Sequence, residues 1–176
     1  ENGAGYSRRF GEPDELKKLI KYVSEDNEFV RVMTSDPHLS DCRTSCPDCL
    51  RDYNNLRHHS VLDWRLGLDL ARLSLDADCL LDFSVPYWKG LDDIAAGGYF
   101  SSTQGWQRTE HNGLQVGIHS ASDRLEIIAP PLWQEDPSLM GPELDSTYIW
   151  ALSQANNVKI TSIFEILRRV PDLGTV

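Results

Sequence analysis

No stretch of this chain is apolar for the roughly 20 residues needed to span a bilayer, and no charged leader with an apolar core opens it. A soluble, cytoplasmic protein without a membrane partner is the expectation. Positive charge is scarce: 17 Lys and Arg stand against 27 Asp and Glu, a net charge of −10. The deficit is uneven, with 11 basic against 13 acidic residues over 1–75 and 6 against 14 over 76–176. Neutralising phosphates and releasing their counterions supplies most non-specific affinity for nucleic acid, so this chain alone is a poor general binder of DNA or RNA. The glycine-rich opening, Asn2-Gly3-Ala4-Gly5-Tyr6, matches neither G-x-G-x-x-G nor G-x-x-x-x-G-K-[ST]. It reads as a tight turn. The start at Glu1 suggests a piece of something longer.

Cysteine is also rare, and its placement is the main signal. Three of the four, Cys42, Cys46 and Cys49, fall within eight residues, and His38 precedes them by four positions. Bonds of about 2.3 Å from one ion to several sulfurs require ligands on nearly touching backbone segments, which H-x3-C-x3-C-x2-C provides. A structural zinc site takes four Cys or His ligands. His38 completes the set without a long loop; Cys79, His58 and His59 are the alternatives. A disulfide among three close cysteines would leave one odd, so bound zinc is the preferred reading.

At 176 residues, with 40% hydrophobic residues and five tryptophans, the chain suits one compact domain or a domain with a metal-stapled appendage. Pro13 with Asp14 and Glu15 signals a helix start. Leu16, Leu19, Ile20 and Val23 carry the helical period toward Asn27. Residues 29–33 read as a strand, and Cys49 to Asn55 as a helical turn able to aim N–H groups at a thiolate. Ser60 with Asp63 resembles a capping box for a helix over 61–75, striped by Leu62, Leu66, Leu70 and Leu73.

Beyond that helix, residues 80–85 read as a strand. Tyr87 to Ala95 reads as a helix stopped by Gly97-Gly98, followed by polar loop over 100–112. Residues 114–119 and 124–129 form a hairpin joined by Ser120 to Asp123. A helix over 143–156, a buried strand over 158–161 and a closing turn or helix over 162–169 complete the chain. The fold class is therefore α+β: a zinc-knuckle helical N-terminal half, 1–75, followed by a small mixed α/β unit, 76–176.

Cys46-Pro47-Asp48-Cys49-Leu50-Arg51-Asp52-Tyr53-Asn54-Asn55, then His59, then Leu62 to Leu70, resembles the zinc-binding domain near the C-terminus of MrfA-type DEAD/DEAH-box helicases. That domain also occurs in DISARM-like phage-defence components. The resemblance covers residues 2–75 and includes Asn2 to Tyr6. It implies zinc held by four cysteines and an auxiliary role in DNA repair or phage defence. The partner it implies is a helicase motor domain or subunit, with DNA met through the complex rather than directly. This knuckle has three cysteines where such domains have a fourth close by, so either His38 substitutes or Cys79 closes the site. Residues 119–169 resemble, less closely, the tail that follows the zinc domain in some of these helicases. Neither a Walker A sequence nor a D-E-x-H box is present, so unwinding by this chain alone is excluded.

The competing reading is a metal-dependent nuclease or hydrolase in the C-terminal half, built on Asp123, Glu126 and His119. Such an enzyme needs carboxylates on adjoining strands and a lysine, yet the position two after Glu126 is Ile128 and no E-x-K is formed. The H-x-K-x4-D motif is missing as well, because Ala121 follows His119 by two. Asp123 then reads as a turn residue and Glu126 as an exposed strand position. A third reading is a pure interaction subunit without any motor.

Overall fold

A computed structural model describes residues 8, 9, 11–25, 27–102 and 104–168; the opening turn expected at Asn2 to Tyr6 lies outside them. The chain divides into two units, Glu1–Leu80 and Leu81–Val176. The fold is α+β, with a helical first unit and a four-stranded mixed sheet in the second. Among the described residues no helix is long and apolar enough to cross a membrane.

In the first unit α1 spans Pro13–Ser24, with proline in its first turn and acidic residues after it. It packs against α4, Trp64–Leu75. Residues 29–33 are not a strand but the body of α2, Glu28–Thr34. The deciding chemistry is local. Asn27 caps the helix by accepting from Val30 N at 3.1 Å, while the Thr34 and Ser35 hydroxyls bond back to the carbonyls of Val30 and Arg31. A short β-branched run with no strand beside it follows its cap. A single turn, α3 at His38–Asp41, then leads into the cysteines. The start of α4 is also corrected. Asp63 is itself the N-cap, accepting from Arg65 N at 3.0 Å and Leu66 N at 3.2 Å, so the Ser60 capping box does not form and the helix starts at Trp64.

In the second unit, the strand expected over 80–85 is absent. Asp82 folds the backbone onto itself by accepting from both the N–H and the hydroxyl of Ser84, a side-chain turn that competes with any ladder. Helix α5, Leu91–Ser101, runs straight through Gly97-Gly98 instead of stopping there. The expected loop contains strand β1, Gln107–His111. Its residues are polar because this edge strand is exposed, so it lacks the apolar alternation that marks strands. The sequence signal for it is Asn112-Gly113, whose positive φ values of 49° and 75° make the tight turn into β2, Leu114–His119.

Strand β3, Arg124–Ala129, pairs antiparallel with β2, and β4, Asn157–Ser162, pairs parallel with β3, giving the order β1-β2-β3-β4. The strand expected as buried, β4, is a half-exposed edge with only Thr161 fully buried. Helix α6, Pro142–Gln154, joins β3 to β4, and α7, Ile163–Arg168, follows.

Helices cover both faces of the sheet. Phe100 of α5 lies on Gly117, where a Cβ would run into its ring, so β2 needs glycine there. His111, on the opposite side by strand alternation, stacks on Trp150 of α6 at 4.2 Å. Between the helices, Leu125, Ile127, Ile128, Leu144 and Ile163 are sealed from solvent.

Candidate metal centre

Loop and helix termini bring four side chains of the first unit to one point. His38 opens α3, Cys42 follows its last residue, and Cys46 and Cys49 bracket a turn in which the Cys46 carbonyl accepts from the N–H groups of Cys49, Leu50 and Arg51. The ligating atoms of His38, Cys42, Cys46 and Cys49 all lie within 4.8 Å of one another, an arrangement that can hold a metal ion. Among the described residues no other such group forms. The Cys49 sulfur sits 3.8 Å from Cys42 and 3.8 Å from Cys46. That is too long for a disulfide, and it matches the spacing of about 3.8 Å that bonds of about 2.3 Å to one tetrahedral ion impose. All four cysteines are free thiols.

His38 supplies the strongest sign. Its Nδ1 is 2.8 Å from the Met33 carbonyl. This contact makes Nδ1 the protonated nitrogen and leaves a lone pair on Nε2. Nε2 is buried and has no hydrogen-bond partner. A buried polar atom without a partner costs about 1–3 kcal/mol, and an ion shared with the three sulfurs removes that cost.

The surroundings suit a negatively charged centre. The Cys46 N–H donates to the Cys49 sulfur at 3.2 Å. Arg65, almost wholly buried, donates to the carbonyls of Leu39, Cys42 and Arg43 at 2.9–3.2 Å. Trp64 Nε1 adds a bond of 3.0 Å to the Cys42 carbonyl, and the Trp64 ring meets His38 edge-on at 5.2 Å. Burial pulls the Arg65 guanidinium below its ordinary range, while Asp63 and the thiols of Cys42 and Cys49 favour its charge. Burial likewise pushes the Cys42 thiol up to about 12 and raises Cys49. Left to themselves these sulfurs stay protonated; a divalent cation is the ordinary means of holding them as thiolates.

The competing ligands lie elsewhere. His59 Nε2 is engaged with Asn55 Oδ1 at 2.8 Å and the Asp52 carbonyl at 3.1 Å, His58 pairs with Arg57, and Cys79 is outside the cluster. Sequence reasoning missed Arg65 and Met33. A buried arginine and a backbone carbonyl carry no spacing signature.

The second unit does not gather the nuclease residues into a site. Glu126 is not exposed, as the sequence suggested, but fully buried. Its Oε1 accepts from Tyr99 at 2.8 Å, from Lys159 at 3.3 Å and from Thr161, and Arg124 approaches Oε2 at 3.8 Å. Asp123 occupies the left-handed turn position with φ 52° and binds Asn156. His119 Nδ1 holds Ser122. All three residues hold the fold together.

The chain is therefore an α+β protein whose first unit presents a cluster of one histidine and three cysteines fit for a metal ion. No family model, curated protein or solved structure matches it.

Proposed function

We propose that the cluster is a structural zinc site and that the chain is a non-catalytic accessory module of a DNA helicase, stapling a partner-docking unit rather than carrying out chemistry. One observation carries the metal reading: the buried, partnerless Nε2 of His38 converging with three sulfurs. Three thiolates and one imidazole form a closed tetrahedral set without an open position, the donor set of structural zinc. His38, Cys42, Cys46 and Cys49 would hold the ion, which there supplies folding free energy.

The helicase assignment, and with it a role in DNA repair or phage defence, rests on the resemblance of Cys46 to Asn55 and Leu62 to Leu70 to the MrfA-type zinc domain. The acidic charge agrees with contact to DNA through a motor partner. Elemental analysis of the purified chain is expected to give one zinc per molecule, falling to near zero in Cys46→Ser. Metal-free protein with an unchanged melting temperature overturns the zinc reading. A motor ATPase that co-purifies with the wild-type chain and not with Cys46→Ser supports the accessory role, and magnesium- or manganese-dependent DNA cleavage by the purified wild-type chain would overturn it.

A further inference from the structure

Part of the His/Cys cluster borders a cleft of about 460 Å³, within the range of about 300–1,000 Å³ common for ligand sites. His38, Cys42 and Cys46 make one wall of it. Val32, 55% exposed, and Pro37 contribute apolar surface beside it. The remaining boundary includes Asp36, Asp41 and Asp48. All three aspartates are exposed, and none joins an ion pair among the described residues. Among the described residues no lysine or arginine lines the cleft.

The sign of the field follows from these groups. Asp36, Asp41 and Asp48 line one space, whereas a divalent ion held by three thiolates and a neutral imidazole carries a single negative charge that the nearby Arg65 guanidinium offsets, so the three aspartates set the sign. Phosphate is repelled from such a surface and cations are drawn to it. A bare divalent cation is a poor occupant, because the aspartates do not converge with one another on a point that could hold one. A lysine or arginine side chain fits better. Its charged head pairs with a carboxylate at the rim while its alkyl stem lies along Val32 and Pro37.

We infer that this cleft docks a basic peptide segment of a partner protein, with alternating cationic and apolar side chains, against the metal-bearing wall. The inference rests on the metal reading, since the ion orders that wall, but it can fail separately.

The test uses the full chain in its zinc-loaded form and a short fluorescein-labelled peptide of alternating leucine and arginine, followed by fluorescence anisotropy at low salt. The leucine–arginine peptide should bind; its leucine–glutamate counterpart and a single-stranded oligonucleotide should not. Asp36→Asn, Asp41→Asn and Asp48→Asn combined should weaken binding about tenfold, as loss of three exposed charge pairs together does, with zinc content unchanged. Val32→Glu, a change at an exposed position, tests the apolar surface. It adds negative charge yet should still weaken binding, because the charged side chain spoils the surface on which the leucines lie. Amide replacements at Glu143, Asp145 and Glu165, in the second unit, should leave affinity unchanged.

Equal binding by the triple aspartate variant overturns the proposal, as does equal loss from the remote replacements, which would mark attraction to net charge alone. Dimerisation of the chain that disappears with the three aspartates would give the cleft to a second copy and overturn it too. One zinc per chain without peptide binding removes the docking inference and leaves the metal centre standing, whereas absence of zinc removes the metal centre itself.

Discussion

His38 uses its two ring nitrogens for different tasks: Nδ1 is held by the Met33 carbonyl and Nε2 faces the sulfurs. His38→Ala should therefore lower zinc affinity at least about tenfold, by analogy with the cost of disturbing ligand orientation alone, measured by competition with a chromophoric chelator. His38→Cys should retain stoichiometric zinc, because thiolate is an equally good ligand. Gly117 supports a prediction of a different kind. A methyl group there meets the Phe100 ring inside van der Waals distance, so Gly117→Ala should destabilise the chain by about 1–3 kcal/mol, read from the denaturation midpoint. The convergence of Cys42, Cys46 and Cys49 follows from their spacing on adjacent turns, whereas spacing leaves the fourth member open among His38, Cys79, His58 and His59, and it is His38 that lies with the three sulfurs. Arg65 was not legible, because its partners are carbonyls more than 20 residues away.

Among the elements, the longer helices were readable in existence and less so in their ends, and of the short ones the closing helix was anticipated while Glu28–Thr34 reads as a strand. Pro13–Ser24 begins on the proline that signalled it, Pro142–Gln154 starts one residue before the expected 143, and the hairpin 114–129 follows its apolar runs. Residues 29–33 misled because a run of β-branched and bulky residues looks like a strand until a sheet is sought for it, and the first unit offers none among its described residues. β1 was hidden by its polarity and could have been found from Asn112-Gly113. At the start of α4, Asp63 binds two N–H groups and anchors the helix that carries Trp64 and Arg65 to the cysteine loop. Asp63→Ala should cost about 1–2 kcal/mol and lower zinc retention with it. Loss of stability with zinc affinity unchanged would show that the cap serves the helix alone.

For the whole molecule, the division at Leu80 and Leu81 means that the proposed zinc site should confine metal dependence to the first unit. A strong chelator should unfold the first unit and leave the sheet of the second protected in amide exchange. The pH response should reverse with metal. In the metal-free chain the Cys42 thiol is raised from 9.0 to about 12. A group whose folded value is raised contributes stability that is complete below its unfolded value and is lost as pH climbs through the folded one, so the metal-free first unit should weaken between about pH 9 and 12. With zinc bound the thiolates are the occupied form, that alkaline weakness should vanish, and protons should instead expel the ion as pH falls. Parallel pH titrations of melting with and without chelator distinguish the two.

The burial of Glu126 also bears on the order in which the second unit assembles. Lys159 and Thr161, two of its partners, belong to the last strand and lie more than 30 residues downstream, whereas the antiparallel meander of the first three strands closes locally. During synthesis the meander can therefore emerge complete while its central carboxylate still lacks these partners, and arrival of the fourth strand neutralises it. A chain ending before Asn157 would keep Tyr99 and Arg124 beside that acid and lose Lys159 and Thr161, so the final strand completes the contacts of a carboxylate that the meander alone leaves half-partnered.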